Sequence, residues 1–200
     1  MGESAISNRL LEKNIEELLA DFESRKKQRD LTCEPIGIQA YYAALENNNH
    51  ELFLKTATAL THYFIEISSE FEKAVHYLKE TIQYLHAKSD FEEESEFYRR
   101  LALSYDYQGE MVAAKENYDS SIKLLENRTD LTEKGFLTLA RSLFNESIIY
   151  NRLGLVTLAN DYLNKSSEYF FKANYIPGII RCHISFGVQA YDEKKYGKGA

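Results

Sequence analysis

Apolar residues recur along this chain at spacings of three and four, so α-helix is the regular element predicted throughout. Leu10, Leu11, Ile15, Leu18, Leu19 and Phe22 make one side of a helix from about Asn8 to Arg29, with Glu12, Glu16, Glu17 and Glu23 outward. Pro35 suits a first helical turn and opens a second helix over about 35–47, carrying Ile38, Tyr41, Tyr42 and Leu45 and ended by Asn47-Asn48-Asn49. Further helices are predicted over about 50–66, 70–87, 91–108, 111–127, 132–153, 155–173 and 177–193, Pro177 opening the last. Ser89-Asp90 before Glu92 and Glu93, and Asp130 with Thr132 before Glu133, put capping oxygens and carboxylates where helix N-termini are positive. The loops are short.

The sharpest pattern lies in residues 96–126. Tyr98, Leu101 and Tyr105 form one helical stripe, small Ala102 admits a second helix, Gly109 opens the turn, and Ala114, Tyr118 and Ser121 make the facing stripe. Such a hairpin cannot bury its apolar face alone, so copies are expected beside it. Gly154 lies 45 residues after Gly109, with Leu143, Ser147 and Tyr150 before it and Ala159 and Leu163 after it. Phe186 and Gly187 repeat Leu101 and Ala102 two periods on, and a weaker earlier copy runs through Thr58, Ile65, the turn Ser68-Ser69-Glu70-Phe71, Ala74 and Leu78.

These residues resemble the tetratricopeptide (TPR) repeat superfamily. The resemblance implies an all-α fold, a right-handed superhelix of antiparallel helical hairpins, that is, a TPR-like solenoid. One domain over 1–200 is expected: divergent N-terminal helices in 1–48, hairpins at 50–88, 91–127 and 132–173, and an incomplete final repeat at 177–200. No composition shift marks an internal linker.

The composition fits an ordinary globular chain, with 44% hydrophobic and 28% charged residues. Fifteen Tyr, eleven Phe, nine Gly and two Pro describe long helices with aromatic knobs, and few turns are expected to need special backbone angles. A net charge of −7 argues against a general nucleic-acid surface, which needs a concentrated basic face. The one basic cluster, Arg25 to Arg29, reads as a solvated helix C-terminus. Cys33 and Cys182 have no partner motif and read as reduced thiols, the N-terminus lacks an apolar signal core, and no run approaches a membrane span. A cytoplasmic location with no membrane partner is therefore expected.

Catalytic chemistry is sparse. The five histidines, His50, His62, His76, His86 and His183, form no close metal-ligand pair, no nucleophile elbow or phosphate-binding loop occurs, and Glu92-Glu93-Glu94 point round a helix rather than into one cleft. No catalytic residue, metal or cofactor is expected.

Binding is the stronger lead. In a TPR array the first helix of each hairpin lines a concave groove, and the positions left over from the packing stripe face it. Here these are Glu96, Arg99, Arg100, Leu103, Asp106 and Tyr107, then Arg141, Phe144, Asn145, Ile148, Asn151 and Arg152, then Arg181, Ser185, Val188 and Tyr191. Arg99, Arg100, Arg141, Arg152 and Arg181 predict a locally basic groove for a peptide carboxylate or acidic side chains. Asn145 and Asn151 offer paired donors and acceptors to an extended backbone, and Tyr107 completes the candidate set.

The divergent repeats, the tyrosine-rich helices and the segment Gln39-Ala40-Tyr41-Tyr42-Ala43-Ala44-Leu45-Glu46 are similar to bacterial peptide-pheromone receptors, including Rap-type phosphatases. This second resemblance implies a quorum-sensing signalling role in which a short peptide occupies the groove. The family's catalytic Gln has no match, because Gln28 and Gln39 do not fit its spacing, and there is no room for a DNA-reading helix-turn-helix ahead of the first repeat. A non-catalytic receptor for a peptide or partner-protein segment leads; a response-regulator phosphatase and a structural adaptor are the alternatives. The last repeat ends at Ala200 where its second helix should start, so either the chain continues in a longer protein or another copy covers that face. Self-association through this end is expected in isolation.

Overall fold

The structure, a computed structural model, describes residues 2–196, with side-chain surroundings for residues 10–189 and 191. Its helices are α1 (Gly2–Lys27), α2 (Glu34–Asn47), α3 (His50–His62), α4 (Phe71–Lys88), α5 (Phe91–Tyr107), α6 (Met111–Leu125), α7 (Glu133–Arg152), α8 (Val156–Lys172) and α9 (Ile176–Tyr196). The described residues are all-helical and contain no strand. Contacts gather the chain into two units, 1–81 and 82–200, the division falling inside α4.

The caps follow the sequence signals in part. Asp90 and Thr132 accept from the backbone N–H of Glu93 and Gly135, and Asn49 from that of Leu52, each relieving one orphan donor at a helix start. Asp130 instead lies 3.9 Å from the guanidinium of Arg128. Two expectations change. The predicted helix 50–66 stops being α-helical at His62 and continues as a π-type stretch, Tyr63–Ile67, closed by the Ser68 N–H on the Tyr63 carbonyl at 3.0 Å. The wider turn accompanies burial of three successive large side chains, Tyr63, Phe64 and Ile65. Left-handed backbone is also common at the helix junctions: Arg29, Asn48, Ser69, Ser89 and Asn174 adopt positive φ as well as Gly109 (80°) and Gly154 (75°). Five non-glycine residues thus make turns where few special angles were expected.

The first unit is built on rings. Tyr41 of α2 is fully buried, its centroid 5.2 Å from both Phe53 and Tyr77, and its hydroxyl lies 3.1 Å from Thr81 Oγ1. Phe64 stacks on Tyr77 at 5.5 Å and Phe22 meets Tyr63 edge-on at 5.5 Å. The tyrosines of the segment 39–46 therefore serve packing, while Gln39 is exposed.

In the second unit α5 packs on α6 and α7 on α8, the short connections making each pair antiparallel, and α7 also packs on α5 and α6. The predicted stripes meet: Ala102, Ala114, Tyr118 and Ile149 form one cluster, and Ile122, Leu125, Leu139 and Leu143 another. A third joins Ala140, Phe144, Leu163 and Phe170 to Cys182 of α9. Small polar residues hold the closest three-helix crossings. The Ser121 hydroxyl lies 2.9 Å from that of Ser95 and 2.8 Å from that of Ser142, while Ser166, 45 residues on, donates to the Ala140 carbonyl at 2.8 Å and lies 3.6 Å from Cys182 Sγ. Each crossing buries hydroxyls only because every one finds a partner.

Candidate functional site

The nominated residues of α5 begin in an ion cluster. Glu96 is buried, and Arg99 grips it with both Nε and Nη2, at 2.8 and 2.6 Å, while Arg100 Nε reaches it at 2.9 Å and Thr138 of α7 donates at 3.2 Å. Burial alone would raise the Glu96 carboxyl, but the two guanidinium groups prevail and hold it well below the usual carboxylate range. Arg99 and Arg100 are mostly covered, and Arg100 lies over the Phe97 ring. Their charges are thus answered within the protein. About two turns beyond Arg99 on the same face of α5, Arg152 of α7 meets Asp106 at 2.6 Å, with the Arg152 side chain half exposed.

Between these two ion clusters lies the hydroxyl of Tyr118, carried on α6 and fully buried. Arg99, Asp106 and Tyr107 act on it electrostatically, and Asn145 approaches it from α7 without completing a hydrogen bond of normal geometry. Burial raises the phenol's pKa, so it stays a neutral donor. Tyr107 is 52% exposed beside it. Arg99, Tyr107, Asn145 and Arg152 are therefore brought together around Tyr118, a residue that the sequence assigned only to packing.

The other nominees lie apart. Arg141 stands over the Tyr175 ring at 5.5 Å and Arg181 over Phe144 at 4.8 Å, so both guanidinium groups cover aromatic surface between α7 and α9. Asn151 is exposed, and six residues at 100° each set it a third of a turn round α7 from Asn145. The two asparagines do not form one ladder. On α9, Val188 and Tyr191 are exposed and Ser185 is partly buried.

A second polar cluster has no counterpart among the nominees. Glu146 occupies, 45 residues on, the repeat position of Leu101, and its side chain is fully buried. Tyr150 donates to its Oε1 at 2.7 Å, Lys115 of α6 lies 3.5 Å away, and its Oε2 has no partner. Asp119 and the Tyr162 phenol complete the surroundings, Lys115 pairing with Asp119 at 2.8 Å. Burial pushes the Glu146 carboxyl up to about 7, against the opposing pull of Tyr150 and Lys115. The acidic residue in a Leu position was the only sequence sign of it.

Elsewhere, an open groove of about 740 Å³ is lined by Asn164, Ser167, Glu168, Phe171, Lys172 and Ile179, none of them nominated. Among the described residues no three His, Cys, Asp or Glu side chains gather as metal ligands, and no helix is long and apolar enough to cross a membrane.

No family model matches this chain, and no curated protein matches it. Among solved structures, the crystal structure of BtubC (BKLC) from P. vanneervenii is similar over 95% of this chain and 83% of that one, with a TM-score of 0.62 and 14% identity. At that identity the likeness concerns the fold alone.

Proposed function

We propose that this chain is a non-catalytic, cytoplasmic TPR-type binding module, a right-handed superhelix of hairpins that holds a short peptide or a segment of a partner protein against α5 and α7. One observation carries the reading: the 52% exposed Tyr107 ring of α5 lies beside Asn145 and the half-exposed Arg152–Asp106 pair, all gathered around Tyr118. An exposed ring, an amide and a paired charge side by side offer stacking surface, donors and acceptors to an extended peptide. With Arg99 and Arg100 committed to Glu96, the ligand is recognised by hydrogen bonds to its backbone and by the Tyr107 ring rather than by free positive charge. A signalling-peptide receptor is the role this arrangement suits best.

Selection from a randomised display library of eight-residue peptides tests the reading. Enriched peptides are expected to lose about 1–3 kcal/mol of binding with Asn145→Ala, and a similar amount with Tyr107→Ala. Val112→Ser, on an exposed position of α6, should change nothing. A library that yields no binder, or binders indifferent to both site variants, refutes it.

A further inference from the structure

Helix α9 packs on α7 and α8 through Gly178, Cys182 and Gln189, and turns an uncovered apolar face the other way. Ile176, Ile180, Ile184 and Val188 follow one another at intervals of four and are 63, 53, 61 and 54% exposed; Tyr191, 63% exposed, lies beside them. Residues four apart form a continuous ridge on a helix, and two such ridges interdigitate when the helices cross at about 50°. Beside the ridge is Gly187, exposed, with nothing within 4 Å of the place a Cβ would take. That gap lets a second helix come close.

The corresponding faces of the earlier repeats share one small position with this one and differ at another: Gly187 stands where Ala102 and Ser147 stand, both buried. Ser95 on α5 and Ala140 on α7 are the small residues of the serine-lined crossings, and the residue in that repeat position on α9 is Ile180. A bulky aliphatic cannot enter such a crossing, but it suits a ridge. A matching surface is aliphatic and accommodates the gap at Gly187.

We infer that the occupant is a second copy of this chain, with α9 packed on α9 about a two-fold axis near Ile184. A ridge of four aliphatics at equal intervals is self-complementary, which is what an isologous pair requires. The exposed parts of Ile176, Ile180, Ile184, Val188 and Tyr191 come to roughly 600 Å² per chain, so a closed pair buries up to about 1,200 Å² in total, the lower end of stable interfaces. The pair would cover Val188 and Tyr191 and leave Tyr107, Asn145 and Arg152 open, so it stands independently of the peptide-binding reading.

Sedimentation velocity on the 200-residue chain, from about 1 to about 200 µM, tests this directly. A monomer–dimer equilibrium is expected, weakened at least about tenfold by Ile184→Asp, whose exposed position leaves the thermal midpoint unchanged. Ile184→Cys, close to the axis, should give a reducible covalent dimer under mild oxidation. Val112→Cys, 74% exposed but on α6, should not, and the native Cys33 and Cys182 are buried. A monomer at every concentration, an assembly larger than two, or a dimer indifferent to Ile184→Asp overturns the inference. So does cross-linking that favours Val112→Cys over Ile184→Cys.

Discussion

Replacing Glu146 by Gln should remove a specific pH dependence of stability. The side chain is fully buried, one carboxyl oxygen has no partner, and the carboxyl's pKa stands at about 7 against an ordinary 4.5. The raised value means that between these two pH values the folded chain holds a proton the unfolded chain has released. Stability therefore falls as pH rises through that window and levels off above it. The difference of two and a half pH units caps the effect at about 3 kcal/mol, and about 2.5 kcal/mol of it falls between pH 5 and pH 8. Lys115, Tyr150 and Tyr162 face the same carboxyl but remain in one protonation state over this range, because Lys115 is raised by Asp119, Tyr150 and Glu146 against the effect of burial, and burial raises both phenols. Glu96 is depressed, so its contribution is lost only at lower pH, as the solution falls through its ordinary range and beyond. Urea unfolding of both proteins at pH 5 and pH 8 isolates the term. The wild-type stability minus the Glu146→Gln stability should fall by about 2.5 kcal/mol across that interval. A difference that stays constant to within about 0.5 kcal/mol would show that the carboxyl titrates normally and that its burial is relieved in solution.

Glu96→Ala leaves Arg99 and Arg100 mostly covered with no carboxylate, so a loss of about 3 kcal/mol is expected in chemical denaturation; a loss below about 1 kcal/mol would mean that the arginines swing freely into water. Gly178→Ala places a methyl 2.3 Å from the Phe170 ring, between α8 and α9, and should cost about 1–3 kcal/mol. An unchanged thermal midpoint for that variant would mean that Phe170 does not pack there.

Local physics made the helices legible. Their apolar stripes, their capping side chains and the positive-φ glycines at positions 109 and 154 all act within a few residues, so the sequence alone places nearly every helix and fixes the pairing of α5 with α6 and α7 with α8. On α9 the repeat phase gave Phe186 and Gly187 to packing and Val188 and Tyr191 to the groove, and only the packing of the helix shows Ile176, Ile180 and Ile184 left uncovered. What a charged or polar side chain faces across a helix junction is decided between residues some 20 to 46 apart, and only the tertiary structure settles it. Arg152 meets Asp106 and Thr138 meets Glu96 through the packing of α7 on α5. Of the arginines of the expected basic groove, Arg99 and Arg100 are answered by Glu96 within α5, Arg152 by Asp106 across the helices, and Arg141 and Arg181 lie over aromatic rings, because repeat phase fixes the direction in which a side chain leaves its helix but not the group waiting there. Glu146 shows the converse. Its repeat position marked it for burial and Tyr150 reaches it from the next turn of α7, but only the assembled helices bring Lys115 and complete the burial that moves its proton affinity to neutrality.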